Sequence, residues 1–204
     1  MKQDEQGCNT TSTAGYINPG IEIPEASTRV HGITNAMVEG APGVKETCVM
    51  LTHNICAAWD NGAVLVGMNI SYDLTMLESL CKRYGVLSLT ERGELGPVAD
   101  VLVLDRKVDR WRKGGRKLGD LCKIYGVTLN DAHDASADAR ASIEVLLAIL
   151  DAHPWLADVA PGQYTPTLAN WYQEWATGMS EWLIKKGEEG FSPGRMAWPI
   201  HTSN

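Results

Sequence analysis

The sequence predicts an α/β fold in which strands alternate with helices. Two apolar runs, 63–68 and 99–105, have the length and composition of buried strands. Stripes of apolar residues three and four positions apart lie between and after these runs, as in amphipathic helices. Such alternation is typical of a sheet flanked by helices. At 204 residues, the chain is long enough to build one such domain around a core.

The other elements of the main domain follow from apolar spacing and from glycine and proline stops. In chain order they are a strand at 13–17 before the Pro19-Gly20 turn, a helical turn at 25–31, a helix at 44–59 ended by Asn61-Gly62, a helix at about 70–84 stopped by Gly85, a helix at 118–125 ended by Gly126, and a helix from about Ala135. The polar segment 2–7 is predicted to be a hairpin turn.

The composition changes after His153-Pro154, and five of the seven tryptophans lie beyond residue 150. A stripe of aromatic, leucine and methionine residues at helical spacing predicts a helix over 165–187. Such a stripe is either core or an exposed binding platform, and we favour core as the more common of the two. We therefore predict a main domain over 1–153 and, over 154–204, a helical extension with an extended tail that packs on it.

Composition argues against several classes of protein. No run of about 18 apolar residues exists, so no membrane span is predicted, and the N-terminus lacks the apolar region of a signal peptide. The five cysteines form no Cys-x-x-Cys pair, which argues against a zinc site and against a secreted disulfide scaffold. Three of them lie on helix stripes, where they would pack as small hydrophobic residues. A reducing cytoplasm fits this usage best.

The net charge of −7 argues against a protein that coats nucleic acid without specificity. Basic residues are nevertheless dense between Arg106 and Lys117, where seven of the eighteen occur. This basic run, made flexible by Gly114 and Gly115, is either a solvated loop or an arm that contacts the phosphates of a single strand. In the second case, the candidate contacts are Arg110, Arg112, Arg116 and Lys117.

The most informative polar segment is 133–139, which places His133 and Asp138 five residues apart among small side chains. A helix pattern follows at once, so both groups are expected near the electropositive N-terminal end of that helix. An imidazole beside a carboxylate at this position suits a general base next to a metal-bound phosphate. The simpler alternative is that Asp134 caps the helix and His133 is a surface residue.

A second polar segment, 69–73, follows the strand at 63–68 and opens the next helix. Asp73 lies three residues after Ile70 and four before Leu77, at the edge of the face expected to turn inward. A carboxylate there costs free energy unless it is paired or bound to a metal. The alternative is an aspartate that satisfies a neighbouring backbone group or an arginine.

A third segment contains Ile17-Asn18-Pro19-Gly20 and then Val30-His31-Gly32-Ile33-Thr34, in which His31 alone would be a hydrogen-bonded loop histidine. Together and in this order, the three segments resemble the histidine-containing branch of the DnaQ-like 3′→5′ exonucleases. This branch belongs to the DEDD superfamily, which has the ribonuclease H-like fold. The resemblance runs from about Ala14 to Leu150. Segment 133–139 is similar to the family's third motif, and Asn69-x-x-x-Asp73 is similar to its second.

The resemblance implies a ribonuclease H-like mixed sheet flanked by helices, and hydrolysis of nucleotides from DNA 3′ ends. Two divalent ions, Mg²⁺ or Mn²⁺, are implied, of which Asp73 would help to hold one and Asp138 the other. His133 would take a proton from the attacking water. His31 and Asn69 would line the cleft, so all these residues are expected to converge. The implied partners are single-stranded DNA or a DNA 3′ end, with RNA as an alternative, and a DNA polymerase.

The family's first motif, Asp-x-Glu on the first strand, has no match near the N-terminus. Asp4 and Glu5 are adjacent and follow no apolar strand, so we expect the chain to begin inside the fold, with the first strand missing. A start codon assigned too late, a split gene and a degenerate copy are the three explanations. Without those two carboxylates, weak metal binding and poor cleavage are expected. The alternative function is a noncatalytic nucleic-acid-binding or polymerase-associated module.

Overall fold

The computed structural model describes residues 2–3, 9–10, 14–129 and 135–202. Within these ranges the fold is a mostly helical α/β arrangement with a small parallel sheet. Its elements in chain order are β1 (Lys2–Gln3), β2 (Asn9–Thr10), α1 (Glu25–His31), α2 (Asn35–Val38), α3 (Val44–Asp60), β3 (Leu65–Gly67), α4 (Ser71–Tyr84), α5 (Leu89–Arg92), β4 (Val98–Asp100), α6 (Val101–Val108), α7 (Leu118–Tyr125), α8 (Ala135–Ala152), two 3₁₀ turns (Pro154–Asp158 and Pro161–Gln163), α9 (Tyr164–Lys185) and α10 (Pro193–Met196).

Two strand pairs form within the described residues. β1 pairs antiparallel with β2, so the predicted hairpin turn over 2–7 is wrong for residues 2–3, which form a strand, and its remaining residues lie outside the described ranges. β3 and β4 are parallel, with Leu65 opposite Val98 and Gly67 opposite Asp100. Because parallel strands end at the same edge of a sheet, the segments that follow β3 and β4 meet there. This edge of the sheet positions the candidate site.

The predicted strand over 99–105 is wrong beyond Asp100. β4 ends at Asp100, and the chain continues at once into α6. The Asp100 side chain accepts a hydrogen bond from the backbone N–H of Leu102 at 2.9 Å and so caps this helix. The residues from Val101 to Leu104 are all buried. A helix that is buried on every side shows no polar stripe, so its sequence cannot be told from that of a buried strand.

The predicted strand over 13–17 is also wrong for its described part, because residues 14–17 form no strand. The Tyr16 and Ile17 side chains are 47% and 43% exposed, so their apolar character does not reflect burial against a sheet. The chain makes an isolated parallel bridge one residue later, between Asn18 and Gly43. The predicted helices are confirmed, each ending within two residues of its expected bounds.

One hydrophobic cluster joins the sheet, α6, α7 and α8 to the C-terminal helix α9. α9 contributes the buried residues Leu168, Tyr172 and Ala176, so its aromatic stripe supplies core on one side. A cation also lies at the contact between α6 and α9, because the Arg106 guanidinium of α6 is 3.5 Å from the ring centre of Trp175 on α9. The proposed division of the chain between residues 153 and 154 stays a prediction.

Four cysteines lie within the described residues as free thiols, namely Cys48, Cys56, Cys81 and Cys122. Burial raises the pKa of Cys81 to about 12 and also raises that of Cys122, so both thiols stay protonated and pack as small hydrophobic groups. In the described part of the chain, the helices are all too short or too polar to cross a membrane.

Candidate active site

The edge where β3 and β4 end carries Asn69, whose backbone φ of 57° lies in the left-handed region. Asparagine visits this region more readily than most residues because its short polar side chain can bond locally. The backbone N–H of Asn69 donates to Oδ1 of Asp100 at 2.9 Å. The left-handed turn redirects the chain from β3 into α4, which begins at Ser71.

The turn between β3 and α4 is tightly packed. A Cβ added at Gly67 would lie 2.9 Å from Cδ1 of Ile70, and Ile70 is itself buried beneath the turn. A residue without a side chain therefore lets the end of β3 approach the start of α4 this closely. The close approach places the first turn of α4, with Asp73, directly after the sheet edge.

Asp100 lies at this edge with only 1% of its surface exposed. Its Oδ1 accepts from the backbone N–H groups of Asn69 and Leu102, and its Oδ2 accepts from the indole Nε1 of Trp198 at 3.3 Å. Burial raises the pKa of Asp100, while these donors stabilise the carboxylate and oppose the shift. Sequence reasoning did not single out Asp100 as a buried carboxylate at this edge. The available signal was an acidic residue inside an apolar run.

Asp73 lies in the first turn of α4 and is exposed, whereas its neighbour Leu74 is buried. Partial desolvation raises the pKa of Asp73, and a hydrogen bond from its own backbone N–H acts in the opposite direction. The ion pairs that form among the described residues do not include Asp73. Its carboxylate is therefore accessible to a ligand from solvent.

Asp138 lies in the first turn of α8 and is half-buried. Its carbonyl accepts a hydrogen bond from the Ser142 hydroxyl at 2.8 Å, and its charge helps to raise the pKa of Cys122 on α7. The Asp138 side chain is thus near the packed surface between α7 and α8. His133 and Asp134 lie outside the described residues, so both readings of the segment before α8 stay predictions.

The donor chemistry of Asp73 and Asp138 fits a divalent ion, because Mg²⁺ and Mn²⁺ prefer hard oxygen ligands. Within the described ranges, no group of three or more His, Cys, Asp or Glu side chains is placed to hold a metal ion. Asp4, Glu5 and His133 all lie outside those ranges. The expected convergence of Asp73, His133 and Asp138 stays a prediction.

His31 ends α1 and is exposed. Its Nδ1 accepts a hydrogen bond from the backbone N–H of Ile33 at 3.0 Å, which places the ring proton of the neutral imidazole on Nε2. The Thr28 hydroxyl also donates to the Ile33 carbonyl at 2.9 Å. The loop that carries His31 is thus held by local hydrogen bonds, with the imidazole open to solvent.

The basic run is anchored to the protein, which differs from the flexible arm that its glycines suggest. Arg112 donates to both carboxylate oxygens of Asp105, at 2.7 and 2.8 Å. Arg116 binds the same carboxylate, and the Tyr125 hydroxyl donates to it at 3.0 Å. Asp105 itself is 0% exposed. Two of the four predicted substrate contacts, Arg112 and Arg116, therefore neutralise a buried carboxylate in this structure.

The other two predicted contacts, Arg110 and Lys117, are exposed. The Arg110 guanidinium lies 5.0 Å from the ring centre of Trp111, and Trp111 is 83% exposed. An exposed aromatic ring beside cations is a surface on which a nucleic-acid base can stack. Trp111 was not predicted, although an aromatic residue within a dense basic run was a signal for it.

The family model described as Exonuclease matches residues 4–146, which is more than half of the chain. The chain belongs to this exonuclease family. The match confirms the predicted DnaQ-like family, whose members are nucleases that hydrolyse phosphodiester bonds and generally use divalent metal ions.

Three relatives of this chain carry DNA polymerase names. The DNA polymerase III subunit epsilon of Aquifex aeolicus is 30% identical over 149 residues, which are 72% of this chain and 67% of that protein. The DNA polymerase III subunit epsilon-like protein of Rhodobacter capsulatus is 36% identical over 138 residues, which are 67% of this chain and 18% of that protein. A PolC-type DNA polymerase III of Lacticaseibacillus paracasei is 32% identical over 133 residues, which are 65% of this chain.

The chain spans only 8% of the length of the PolC-type protein, so the alignment there is confined to a small part of a much longer protein. The comparison with solved structures found no match. The DNA polymerase names belong to these relatives, and the roles of the individual site residues stay predictions.

Proposed function

We propose that this chain is a 3′→5′ exonuclease that hydrolyses nucleotides from DNA 3′ ends. The observation that carries the proposal is the exonuclease match over residues 4–146, which includes Asp73, His133 and Asp138. The relatives named as DNA polymerase III epsilon proteins support DNA as substrate and a DNA polymerase as partner. Because DNA is the proposed substrate and the four cysteines in the described ranges are free thiols, we propose that the protein is cytoplasmic.

In this proposal, Asp73 and Asp138 each hold a divalent ion, Mg²⁺ or Mn²⁺, which when bound supplies charge stabilisation at the scissile phosphate. The first turns of α4 and α8 present these two carboxylates. His133 accepts a proton from the attacking water, a task that suits an imidazole whose pKa is near neutrality. His31 and Asn69 line the cleft that receives the 3′ end.

We propose that Arg110 and Lys117 contact the phosphates of the substrate strand. Their exposure supports this role, and so does the neighbouring ring of Trp111 as a stacking surface. Arg112 and Arg116 would then contribute indirectly, since their bonds to Asp105 set the shape of the loop that carries the exposed residues. The loop is thus anchored through Arg112 and Arg116, while Arg110 and Lys117 are accessible to a DNA strand.

The test is digestion of single-stranded DNA labelled at its 5′ end, with Mg²⁺ or Mn²⁺ added. A 3′→5′ enzyme gives a ladder of shortening labelled products, whereas the opposite polarity releases a labelled mononucleotide at once. Asp138→Asn should abolish the ladder, and Asp151→Asn, the same change at an exposed position of α8, should leave it intact. His133→Ala should slow cleavage by roughly 10²–10⁴-fold, the range for a lost general base.

The second candidate function is a noncatalytic nucleic-acid-binding or polymerase-associated module. It is favoured by one observation, the exposed Arg110 and Trp111, which offer a nucleic acid a stacking and phosphate contact that needs no metal ion. Binding of single-stranded DNA without any metal-dependent ladder, and with equal behaviour of Asp138→Asn and Asp151→Asn, would establish this module and reject the enzyme. A single-stranded RNA of the same sequence, tested in parallel, separates a DNA enzyme from an RNA-trimming one.

A further inference from the structure

The C-terminal tail, residues 188–202, contacts the edge of the sheet at Asp100 and helix α4 at Thr75. The indole of Trp198, which is 8% exposed, donates from Nε1 to Oδ2 of Asp100 at 3.3 Å. The backbone N–H of His201 donates to Oγ1 of Thr75 at 2.8 Å. These bonds join residues 98 and 126 positions apart, so they exist only in the folded chain.

Both contacts reach the segment that carries Asp73. One carboxylate, that of Asp100, receives Trp198 on Oδ2 and the backbone N–H of Asn69 on Oδ1. Asn69 precedes α4 in its left-handed conformation, and Thr75 lies two residues after Asp73 on α4. The tail thus holds the chain on both sides of Asp73.

The tail is itself held in place by α9. The Tyr172 hydroxyl donates to the carbonyl of Arg195 at 3.1 Å, and the Ser180 hydroxyl accepts from the backbone N–H of Phe191 at 3.0 Å. The Arg195 guanidinium lies 4.4 Å from the ring centre of Phe191. Because α9 is packed in the hydrophobic core, its hydrogen bonds to the tail fix the position of the tail.

We propose that the C-terminal tail is a positioning element of the exonuclease site, which sets Asn69 and Asp73 through Trp198 and Asp100. Trp198 and Asp100 act on the site through the backbone of Asn69, and neither is assigned a contact with substrate. A buried carboxylate oxygen that loses its donor must rotate or admit water. Either response disturbs the acceptor that holds the strained Asn69 turn before α4.

The test compares Trp198→Phe in the full chain with Trp182→Phe, the same change at a 52% exposed position of α9. Phenylalanine keeps an aromatic ring and removes the N–H donor. Trp198→Phe should speed amide hydrogen exchange over 69–75 by roughly tenfold, as expected for the loss of one hydrogen bond to a charged group. It should also lower kcat several-fold with KM nearly unchanged, while Trp182→Phe changes neither.

Thr75→Val is the second variant, since it keeps the side-chain shape and removes the acceptor of the His201 N–H. It should also speed exchange over 69–75, which keeps the proposal testable if Trp198→Phe does not fold. Unchanged exchange over 69–75 in the folded variants would overturn the proposal, as would faster exchange with unchanged kcat.

The activity measurement rests on the proposed function, and the exchange measurement does not. If the unmodified chain gives no ladder, the exonuclease proposal fails, and the positioning proposal is then decided by exchange and by Mn²⁺ affinity. Weaker Mn²⁺ binding together with faster exchange over 69–75 in Trp198→Phe would support it. Equal Mn²⁺ affinity in Trp198→Phe and Trp182→Phe would overturn it.

Discussion

Replacing Asp105, the buried carboxylate that anchors the basic run, with asparagine should strongly destabilise the protein. The Asp105 carboxylate is 0% exposed and accepts from Arg112, Arg116 and Tyr125. Asparagine keeps one acceptor oxygen but presents an NH₂ group to a guanidinium that needs an acceptor. Two cations then lose the charge that compensates their burial.

The expected loss of unfolding free energy follows from the burial of Asp105, Arg112 and Arg116. Removing one member of a buried ion pair costs about 3–5 kcal/mol. The side chains of Arg112 and Arg116 are 14% and 16% exposed, so they can turn partly towards water and recover some hydration. We therefore expect a loss near the lower end, about 3 kcal/mol. With a urea m-value of about 2 kcal/mol/M, the unfolding midpoint should fall by about 1.5 M.

The assay is urea unfolding followed by both tryptophan fluorescence and circular dichroism, because coincident transitions justify a two-state free energy. Asp109→Asn is the matched control, since the Asp109 carboxylate is 46% exposed and lies 3.6 Å from the same Arg112. An exposed pair of this kind contributes less than about 1 kcal/mol. Equal midpoints for the two variants would refute the argument that burial makes the Asp105 pair the important one.

Two further predictions concern the same region. Burial and the Asp105 charge raise the pKa of Tyr125 to about 12, whereas tyrosine in an unfolded chain titrates near 10. The neutral Tyr125 hydroxyl therefore contributes its full stabilisation below about pH 10, and this contribution is lost as the pH rises from about 10 to 12. The difference in unfolding free energy between the unmodified protein and Tyr125→Phe should narrow over the same pH range. A constant difference would contradict this prediction. Arg110→Gln and Lys117→Gln should each flatten the dependence of log affinity for single-stranded DNA on log salt by about 0.7 without changing the urea midpoint, and an unchanged slope would assign both residues to a solvated surface.

Local signals in the sequence were sufficient to predict the family of the protein and the positions of most helices. The helix over 118–125 was predicted at its observed bounds, and the stops at Gly85 and Gly126 were predicted too. These glycines have φ values of 64° and 70°, in the left-handed region. In this conformation the glycine N–H bonds to a carbonyl of the last helical turn and ends the helix. Motif spacing is equally local, which is why the exonuclease family could be identified before any contact was known.

Long-range packing decided what local signals left open. The segment 101–105 is a helix because Asp100 caps it and the core surrounds it, and neither fact is visible in an apolar run. The charge density of the basic run was evident, but its division into anchored and exposed residues depends on the buried Asp105.

The sequence by itself determined the nuclease family, the positions of its polar motifs and the periodicity of its helices, because each is a property of a short segment. Only the tertiary structure decided that Asp100 joins Asn69 to Trp198, a residue 98 positions away. It also decided that Tyr125 shares the carboxylate of Asp105 with two arginines. Hydrogen bonds between residues far apart in sequence form only when folding brings those residues into contact. No local sequence pattern predicts which distant residues will be neighbours.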